Sequence, residues 1–151
     1  RGITRALPTV SDTDGLATLT RAIADVPDGL VFVNLVDSDT QYGHRNDVAG
    51  YAANLERIDA ALADIVRGLR PDDLLVVTGD HGNDPTTPST DHSREYVPLL
   101  VTGARVAAGR DLGTRATFAD LGQTIADNFG VGPLAHGTSF LRDLVSVDGG
   151  A

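Results

Sequence analysis

LLVVTGDHGNDPTTPSTDH, from Leu74 to His92, combines a predicted strand with the densest group of chemically reactive side chains in the chain. Its apolar start, residues 74–77, predicts a buried strand that ends at Thr78-Gly79. Residues 80–92 then carry two Asp-His pairs among prolines, threonines and glycine, a composition that excludes a helix and disfavours a strand. We therefore expect a loop at the end of a buried strand, which is a position where a fold can hold metal ligands in place.

A second polar segment follows another apolar run. Residues 30–36 (LVFVNLV) are apolar at nearly every position, which predicts a strand buried on both faces, as in a parallel sheet covered by helices. Residues 37–44 (DSDTQYGH) form the loop after it. Three of the four histidines, His44, His81 and His92, thus lie just past predicted strands and near aspartates. This arrangement indicates a metal site.

The rest of the chain alternates helix and strand signals. Apolar spacings of three and four predict helices over residues 14–25, 48–69 and 118–129, with caps at residues 11–14, at Asn46 or Asp47, and at Thr117. Residues 97–102 predict another strand, and residues 136–140 predict a segment that packs back on the core. The order indicates an α/β fold, a layered sheet covered by helices, with no linker that divides the chain.

Composition excludes several classes of protein. The 151 residues include no cysteine, so we expect neither disulfides nor a thiolate metal site. The formal charge of −9 argues against nucleic-acid binding; a soluble acidic surface accounts for most of it, and aspartates that need cations for the rest. No apolar run approaches the roughly 20 residues of a membrane span. The absence of cysteine leaves the compartment open and fits a cytoplasmic enzyme. Because the chain has no methionine, we expect it to be a processed piece or a part of a longer polypeptide.

Five side chains form the candidate metal site. They are Asp39, His44, Asp80, His81 and His92. Carboxylates and imidazoles without sulfur suit Mn²⁺, Zn²⁺ or Mg²⁺. Five ligands exceed the four of a tetrahedral ion, so two ions are expected. Two neighbouring divalent ions stabilise the charge of a phosphoryl group during its in-line displacement.

Several nearby residues have structural alternatives. An aspartate near a turn more often holds the turn than binds a metal. Asp37 fits either role, whereas Asp84 and Asp91 fit the role of holding the loop. His136 lies away from both clusters in the sequence, and we favour a structural role for it.

Three segments carry a resemblance to a known family. Residues 34–62 contain Gly-His-Arg-x-Asp-Val-x-Gly-Tyr, and residues 74–103 contain Asp-His-Gly-x-Asp-Pro-Thr followed by Thr-Asp-His-x-Arg-Glu. Residues 117–130 (TFADLGQTIADNFG) are similar to a helix near the family's C-terminus. Together these segments resemble the phosphopentomutase family of the alkaline phosphatase superfamily over most of the chain. The His-Arg-x-Asp and Asp-Pro-Thr details favour it over the cofactor-independent phosphoglycerate mutases.

This resemblance implies a function for the whole protein. Family members use two Mn²⁺ ions, a phosphothreonine and a sugar bisphosphate to interconvert ribose or deoxyribose 1-phosphate and 5-phosphate. By similarity, one ion is held by Asp39, His44 and His92, and the other by Asp80 and His81. Arg45 and Arg94 are candidates for contacts with phosphate or substrate, and a solvated structural role fits them equally well.

Parts of the family pattern do not occur in this sequence. The family has an N-terminal segment with another metal-binding Asp and the nucleophilic Thr, and a cap domain that binds substrate. Thr86, Thr87 and Thr90 do not match the nucleophile segment. We therefore expect residues 1–151 to be the C-terminal part of an alkaline-phosphatase-like core domain, completed by the remainder of the same polypeptide and inactive as a mutase alone. Another phosphatase or phosphomutase of the superfamily, or a non-catalytic metal-binding module, stays open.

Overall fold

The structure, a computed structural model, describes residues 2–145. Contacts divide the chain into two compact units, one within Arg1–Leu69 and His81–Val97 and one within Arg70–Asp80 and Pro98–Ala151. The first unit contains helices α1 (Asp12–Asp25) and α2 (Val48–Gly68). The second contains strands β1 (Leu75–Thr78) and β2 (Leu99–Thr102) and helices α3 (Ala119–Asn128) and α4 (Leu141–Leu144). The α/β class predicted from the sequence is confirmed.

Helix α1 begins at the predicted cap. The Ser11 hydroxyl accepts a hydrogen bond from the Asp14 N–H at 3.2 Å, which satisfies one of the free amides of the first turn. Asp12 and Asp14 place negative charge in that turn, where the helix dipole favours it. The apolar residues that α1 buries are Leu16, Leu19 and Ala22. They belong to the stripe that the sequence predicted.

Helix α2 is the longest element of the described chain. Its 21 residues give a rod of about 32 Å at 1.5 Å per residue. The cap is Asp47 and not Asn46, because Asp47 Oδ1 accepts the Gly50 N–H at 2.9 Å. Within α2, Asn54 and Ile65 are buried, whereas part of the apolar stripe, such as Leu55, stays exposed.

The strand predicted over residues 30–36 is wrong. No strand among residues 2–145 pairs with this segment, and its residues alternate between half-buried and exposed. Val33 and Leu35 lie against α1 at Gly15, where an added Cβ would be 2.9 Å from Leu35 Cδ2. The other face is open, and Phe32 keeps 84% of its surface exposed. Among the described residues, this apolar run thus buries one face on a helix and has no strand paired with it.

The two strands of the second unit pair antiparallel. Leu75 lies opposite Thr102, and Thr78 lies opposite Leu99. The described chain has no crossover helix between β1 and β2. A parallel pair needs such a crossover, whereas a chain that returns through a loop pairs antiparallel.

The segment before α4 packs on α3, as predicted for residues 136–140. Phe140 is 1% exposed, and its N–H donates to Thr124 Oγ1 at 3.0 Å. The Thr138 N–H donates to the buried carboxylate of Asp120 at 2.8 Å. Thr117 is not the cap residue of α3, although its hydroxyl accepts the Ala119 N–H at 3.2 Å.

No helix among residues 2–145 is long and apolar enough to cross a membrane.

Candidate metal centre

The segment that carries Asp39 and His44 is helical, so the loop predicted over residues 37–44 is wrong. Ser38–Tyr42 form a π-helical turn, and Gly43–Arg45 form a 3-10 turn that follows it directly. Hydrogen bonds in a π turn join residues five apart, a spacing that suits the pair Asp39 and His44. His44 Nε2 lies 3.4 Å from Asp39 Oδ1. The π turn and the 3-10 turn that follows it thus bring both predicted ligands to one side of the segment.

A bridge between Gly82 and Ser93 closes the segment that carries His81 and His92. The Ser93 N–H donates to the Gly82 carbonyl oxygen at 3.0 Å. A Cβ at position 82 would lie 2.5 Å from the Ser93 carbonyl oxygen, so glycine allows this approach. His81 and His92 flank the bridge, and their rings stack with centroids 3.7 Å apart and planes tilted by 24°. The closed loop therefore holds two imidazoles side by side.

These two segments meet at the carboxylate of Asp39. Its Oδ1 lies 3.2 Å from His92 Nε2 in addition to the contact with His44. The rings of His44 and His92 have centroids 4.9 Å apart. Ligand atoms of Asp39, His81 and His92 all lie within 4.8 Å of one another. Four of the five predicted ligands thus form one cluster in the first unit, which we call the Asp39 cluster (Asp39, His44, His81 and His92).

The hydrogen bonds of the histidines fit a cation. His44 Nδ1 lies 2.5 Å from the Thr90 carbonyl oxygen, and His81 Nδ1 lies 3.3 Å from that of Gly82. A carbonyl only accepts, so Nδ1 carries the proton and Nε2 of a neutral ring keeps its lone pair. His44 Nε2 then faces Asp39 Oδ1 as acceptor against acceptor, a repulsive pair that a shared divalent ion converts into two metal bonds. The donor set therefore fits a metal.

The three other predicted site residues are Asp80, Arg45 and Arg94. Asp80 belongs to the second unit, directly before His81, and its side chain is exposed. Arg45 Nη1 donates to the Thr40 carbonyl oxygen at 2.9 Å, which ties the guanidinium to its own turn. Arg94 is exposed. The roles of Asp80 as a ligand and of the two arginines as phosphate contacts stay predictions.

The residues with structural alternatives have defined partners. Asp37 Oδ2 accepts the Asp12 N–H at 2.9 Å, so this carboxylate holds α1 to the turn. Asp84 Oδ1 accepts the hydroxyl and the N–H of Thr86, and the hydroxyl contributes most to lowering the pKa of Asp84. Asp91 and His136 are exposed, and His136 belongs to the second unit. Asp84 thus has the loop-holding role expected for it.

The sequence predicts no role in the site for two asparagines beside the cluster, Asn83 and Asn46, although Asn46 is a candidate cap of α2. Asn83 Nδ2 donates to Asp39 Oδ1 at 2.7 Å and orients the central carboxylate. Asn46 Nδ2 donates to the Thr87 carbonyl oxygen at 2.9 Å and joins the turn to the loop. Both sit inside the two motifs, but nothing in their spacing distinguishes them from solvated loop residues.

Tyr51 on α2 faces the same carboxylates. Burial raises its pKa above the usual 10.0, and the negative charges of Asp39 and Asp84 raise it further. The neighbourhood of Asp39 is thus electronegative, which is the field that attracts a cation.

Comparison with known proteins identifies the family. Residues 1–133 match the Metalloenzyme superfamily. Among similar proteins named phosphopentomutase, the one from Anaeromyxobacter sp. (strain K) is 59% identical over 144 residues. The one from Kosmotoga olearia is 55% identical over 144 residues, and the one from Thermotoga maritima is 55% identical over 141 residues. The first two alignments cover 95% of this chain and 37% of the relative, and the third covers 93% and 36%.

The chain thus spans little more than a third of the length of the curated relatives it matches. The resemblance to phosphopentomutases that the motifs predicted is confirmed, as is the alkaline-phosphatase-like fold class. A family match over residues 1–133, together with a cluster of three imidazoles around one carboxylate, leads to one conclusion. The chain belongs to the metalloenzyme superfamily.

Proposed function

We propose that this chain is the C-terminal part of the core domain of a phosphopentomutase, an isomerase that interconverts the 1-phosphate and 5-phosphate of ribose or deoxyribose. The observation that carries the proposal is the convergence of His44 and His92 on Asp39 Oδ1, at 3.4 and 3.2 Å. Similar proteins at 55–59% identity carry that name. The proposed setting is nucleotide metabolism in the cytoplasm.

The proposed metal set is two Mn²⁺ ions. One would be held by Asp39, His44 and His92, and the other by Asp80 and His81. When bound, two divalent ions stabilise the charge that develops on a transferred phosphoryl group. The two sets meet at His81, because one of its ring nitrogens lies within 4.8 Å of ligand atoms of Asp39 and His92.

The residues of this chain prepare the ligands. The Thr90 carbonyl keeps His44 in the tautomer with a free Nε2, and Asn83 fixes the direction of the Asp39 carboxylate. Arg45 and Arg94 would contact the phosphate or the sugar of the substrate, since guanidinium groups bind phosphate oxygens in pairs. The nucleophilic threonine, which becomes phosphothreonine, and one more metal-binding Asp would come from the remainder of the same polypeptide.

The function is tested by assaying the complete polypeptide that carries this chain. With Mn²⁺ and ribose 5-phosphate, we expect ribose 1-phosphate to form, and we expect Asp39→Asn to abolish the reaction. Turnover of phosphoglycerate, or release of free phosphate without isomerisation, would instead support another phosphomutase or a phosphatase of the superfamily. Mn²⁺ binding without turnover of any of these substrates would support the non-catalytic module.

A further inference from the structure

A buried hydrogen-bond network connects α1 to the turn that carries Asp39. Asp12, at the first position of α1, is 3% exposed. Its Oδ1 accepts the Asp37 N–H at 3.0 Å, and Asp37 Oδ2 accepts the Asp12 N–H at 2.9 Å. This reciprocal pair fixes the residue that caps the π turn Ser38–Tyr42. Helix α1 therefore fixes the start of the π turn.

Helix α2 supplies the other half of the network. Asn54, which is 1% exposed, donates through Nδ2 to Asp12 Oδ2 at 2.7 Å and to Ser38 Oγ at 2.9 Å. Arg57 Nη2 donates to Asn54 Oδ1 at 2.8 Å and to the Tyr42 hydroxyl at 3.2 Å. The network thus contacts the first and last residues of the π turn as well as its cap.

We infer that Asp12 and Asn54 are positioning residues, which hold the π turn in the form that aims Asp39 at His44 and His92 and so set the affinity of the Asp39 cluster for a divalent ion. This inference rests on the metal site of the proposed function. Neither Asp12 nor Asn54 belongs to the cluster, and their hydrogen bonds end on Asp37 and Ser38, the two residues before Asp39.

Because Asp12 and Asn54 are buried, their polar atoms need hydrogen-bond partners within the protein. The partners of Asp12 are an N–H of the backbone and an amide of Asn54, so each carboxylate oxygen accepts from a different element. Buried polar groups need such partners, and losing one costs about 1–3 kcal/mol. With its cap, first and last residues bonded, the turn has little freedom to rotate Asp39 away from the histidines. Outer partners of metal ligands change metal affinity by about 10–100-fold when mutated.

The test substitution is Asp12→Asn. The asparagine amide offers one acceptor and one donor, whereas the wild-type carboxylate accepts at both oxygens. In either orientation of the amide, its NH₂ therefore faces another donor, the Asp37 N–H or the Asn54 NH₂. Flipping the Asn54 amide to relieve this would place its NH₂ against Arg57 Nη2, which is also a donor. We expect the affinity of the purified chain for Mn²⁺, measured by calorimetry, to fall about tenfold. Without metal, we expect faster hydrogen exchange at the amides of Thr40 and Gly43. The Thr40 N–H donates to the Val36 carbonyl just before the turn, and the Gly43 N–H donates to carbonyls within it.

The matched control is Asp14→Asn, which removes the same charge from the same helical turn. Asp14 Oδ2 accepts the Val10 N–H at 3.1 Å and has no bond to the π turn. We expect Mn²⁺ affinity within about twofold of the wild type. A drop equal to that of Asp12→Asn would mean that charge near α1 matters and the network does not, and would overturn the inference.

The double variant Asp12→Asn/Asn54→Asp separates positioning from folding. It exchanges donor and acceptor: the amide now at position 12 donates to the carboxylate now at position 54, which also accepts from the Ser38 hydroxyl and from Arg57. We expect this variant to restore Mn²⁺ affinity to within about threefold of the wild type and to restore slow exchange at Thr40 and Gly43.

Three outcomes decide between explanations. If Asp12→Asn lowers only the melting temperature and the folded protein binds Mn²⁺ as before, the network is structural and the inference fails. If Asp12→Asn does not fold, the double variant decides: a folded double variant with weak Mn²⁺ binding also overturns it. If the wild type binds no Mn²⁺, the proposed metal site itself fails. Slow hydrogen exchange at Thr40 and Gly43 in the metal-free protein would then still show whether the network holds the turn.

Discussion

Asp39 Oδ1 lies 3.2 Å from Nε2 of His92, although the two residues belong to separate segments, a π turn and a bridged loop. Neither segment could form this pair alone, and each brings one more imidazole to it, His44 and His81. The relationship places a carboxylate and three imidazoles around one point, which is the chemistry expected of a divalent-metal site without sulfur ligands.

Replacing one of these histidines should weaken the metal site. We expect His92→Ala to lower the affinity for Mn²⁺ by at least about tenfold, because it removes a nitrogen ligand and a ring that stacks on His81. His136→Ala is the control, since His136 is exposed and belongs to the second unit. Calorimetric titration measures both variants, and equal losses in the two would contradict the assignment.

The two proposed ions should differ in strength. In the chain alone, the set with Asp39, His44 and His92 has three ligands, whereas Asp80 and His81 provide two. We expect one tight and one weak Mn²⁺ site, and no conversion of ribose 5-phosphate by the isolated chain. Calorimetry that showed two equally tight sites would count against this division. Measurable formation of ribose 1-phosphate by the chain alone would show that the threonine proposed to lie in the remainder of the polypeptide is not needed.

The tautomer of His44 can be observed directly. Because the Thr90 carbonyl accepts from Nδ1, we expect His44 in the protein loaded with diamagnetic Zn²⁺ to carry its proton on Nδ1 and none on Nε2. The ring nitrogen shifts in nuclear magnetic resonance distinguish the two tautomers. His136 serves as the exposed reference. A His44 signal with the proton on Nε2 would remove the support for its lone pair facing Asp39.

Two glycines offer a matched test of the loop. Gly82→Ala would place a Cβ 2.5 Å from the Ser93 carbonyl and 2.6 Å from the Glu95 nitrogen. We expect it to destabilise the first unit by about 1–3 kcal/mol. Gly68→Ala, at the end of α2, places its Cβ where no atom outside the adjacent helix backbone lies within 4 Å, and should be neutral or stabilising by up to about 1 kcal/mol. Denaturant unfolding measures both, and the reverse order would mean that the bridge is not formed.

The charge of Asp39 should be visible in the titration of Tyr51. Burial, then Asp39 and then Asp84 raise the pKa of Tyr51 above 10.0, so its neutral form is favoured in the folded protein. Its contribution to stability is full below pH 10 and is lost as the pH rises through the raised pKa. We expect Asp39→Asn to lower the pKa of Tyr51 while leaving it above 10.0, because burial remains. Tyrosinate absorbance measures this, with Tyr51→Phe identifying the signal.

Local signals predicted the helices well. Ser11 and Asp47 cap α1 and α2 at the expected positions, and apolar spacing predicted both lengths closely. Caps and periodicity involve residues within a few positions of each other, so the sequence contains all the information needed. Strand pairing, in contrast, depends on residues that are far apart in the sequence. Residues 30–36 read as a strand buried on both faces, yet one face lies on α1 and the other is exposed.

For the site, residue types alone predict which side chains supply the chemistry. The residue types of Asp39, His44, His81 and His92, and their place in two polar segments, sufficed to predict a divalent-metal site. The folded chain was needed to see that all four meet, that Asn83 orients Asp39, and that Asp12 and Asn54 hold its turn. The physical reason is range: residue type fixes what an atom can bind, whereas distances across separate segments depend on packing, on a bridge at Gly82 and on buried hydrogen bonds that no local spacing encodes.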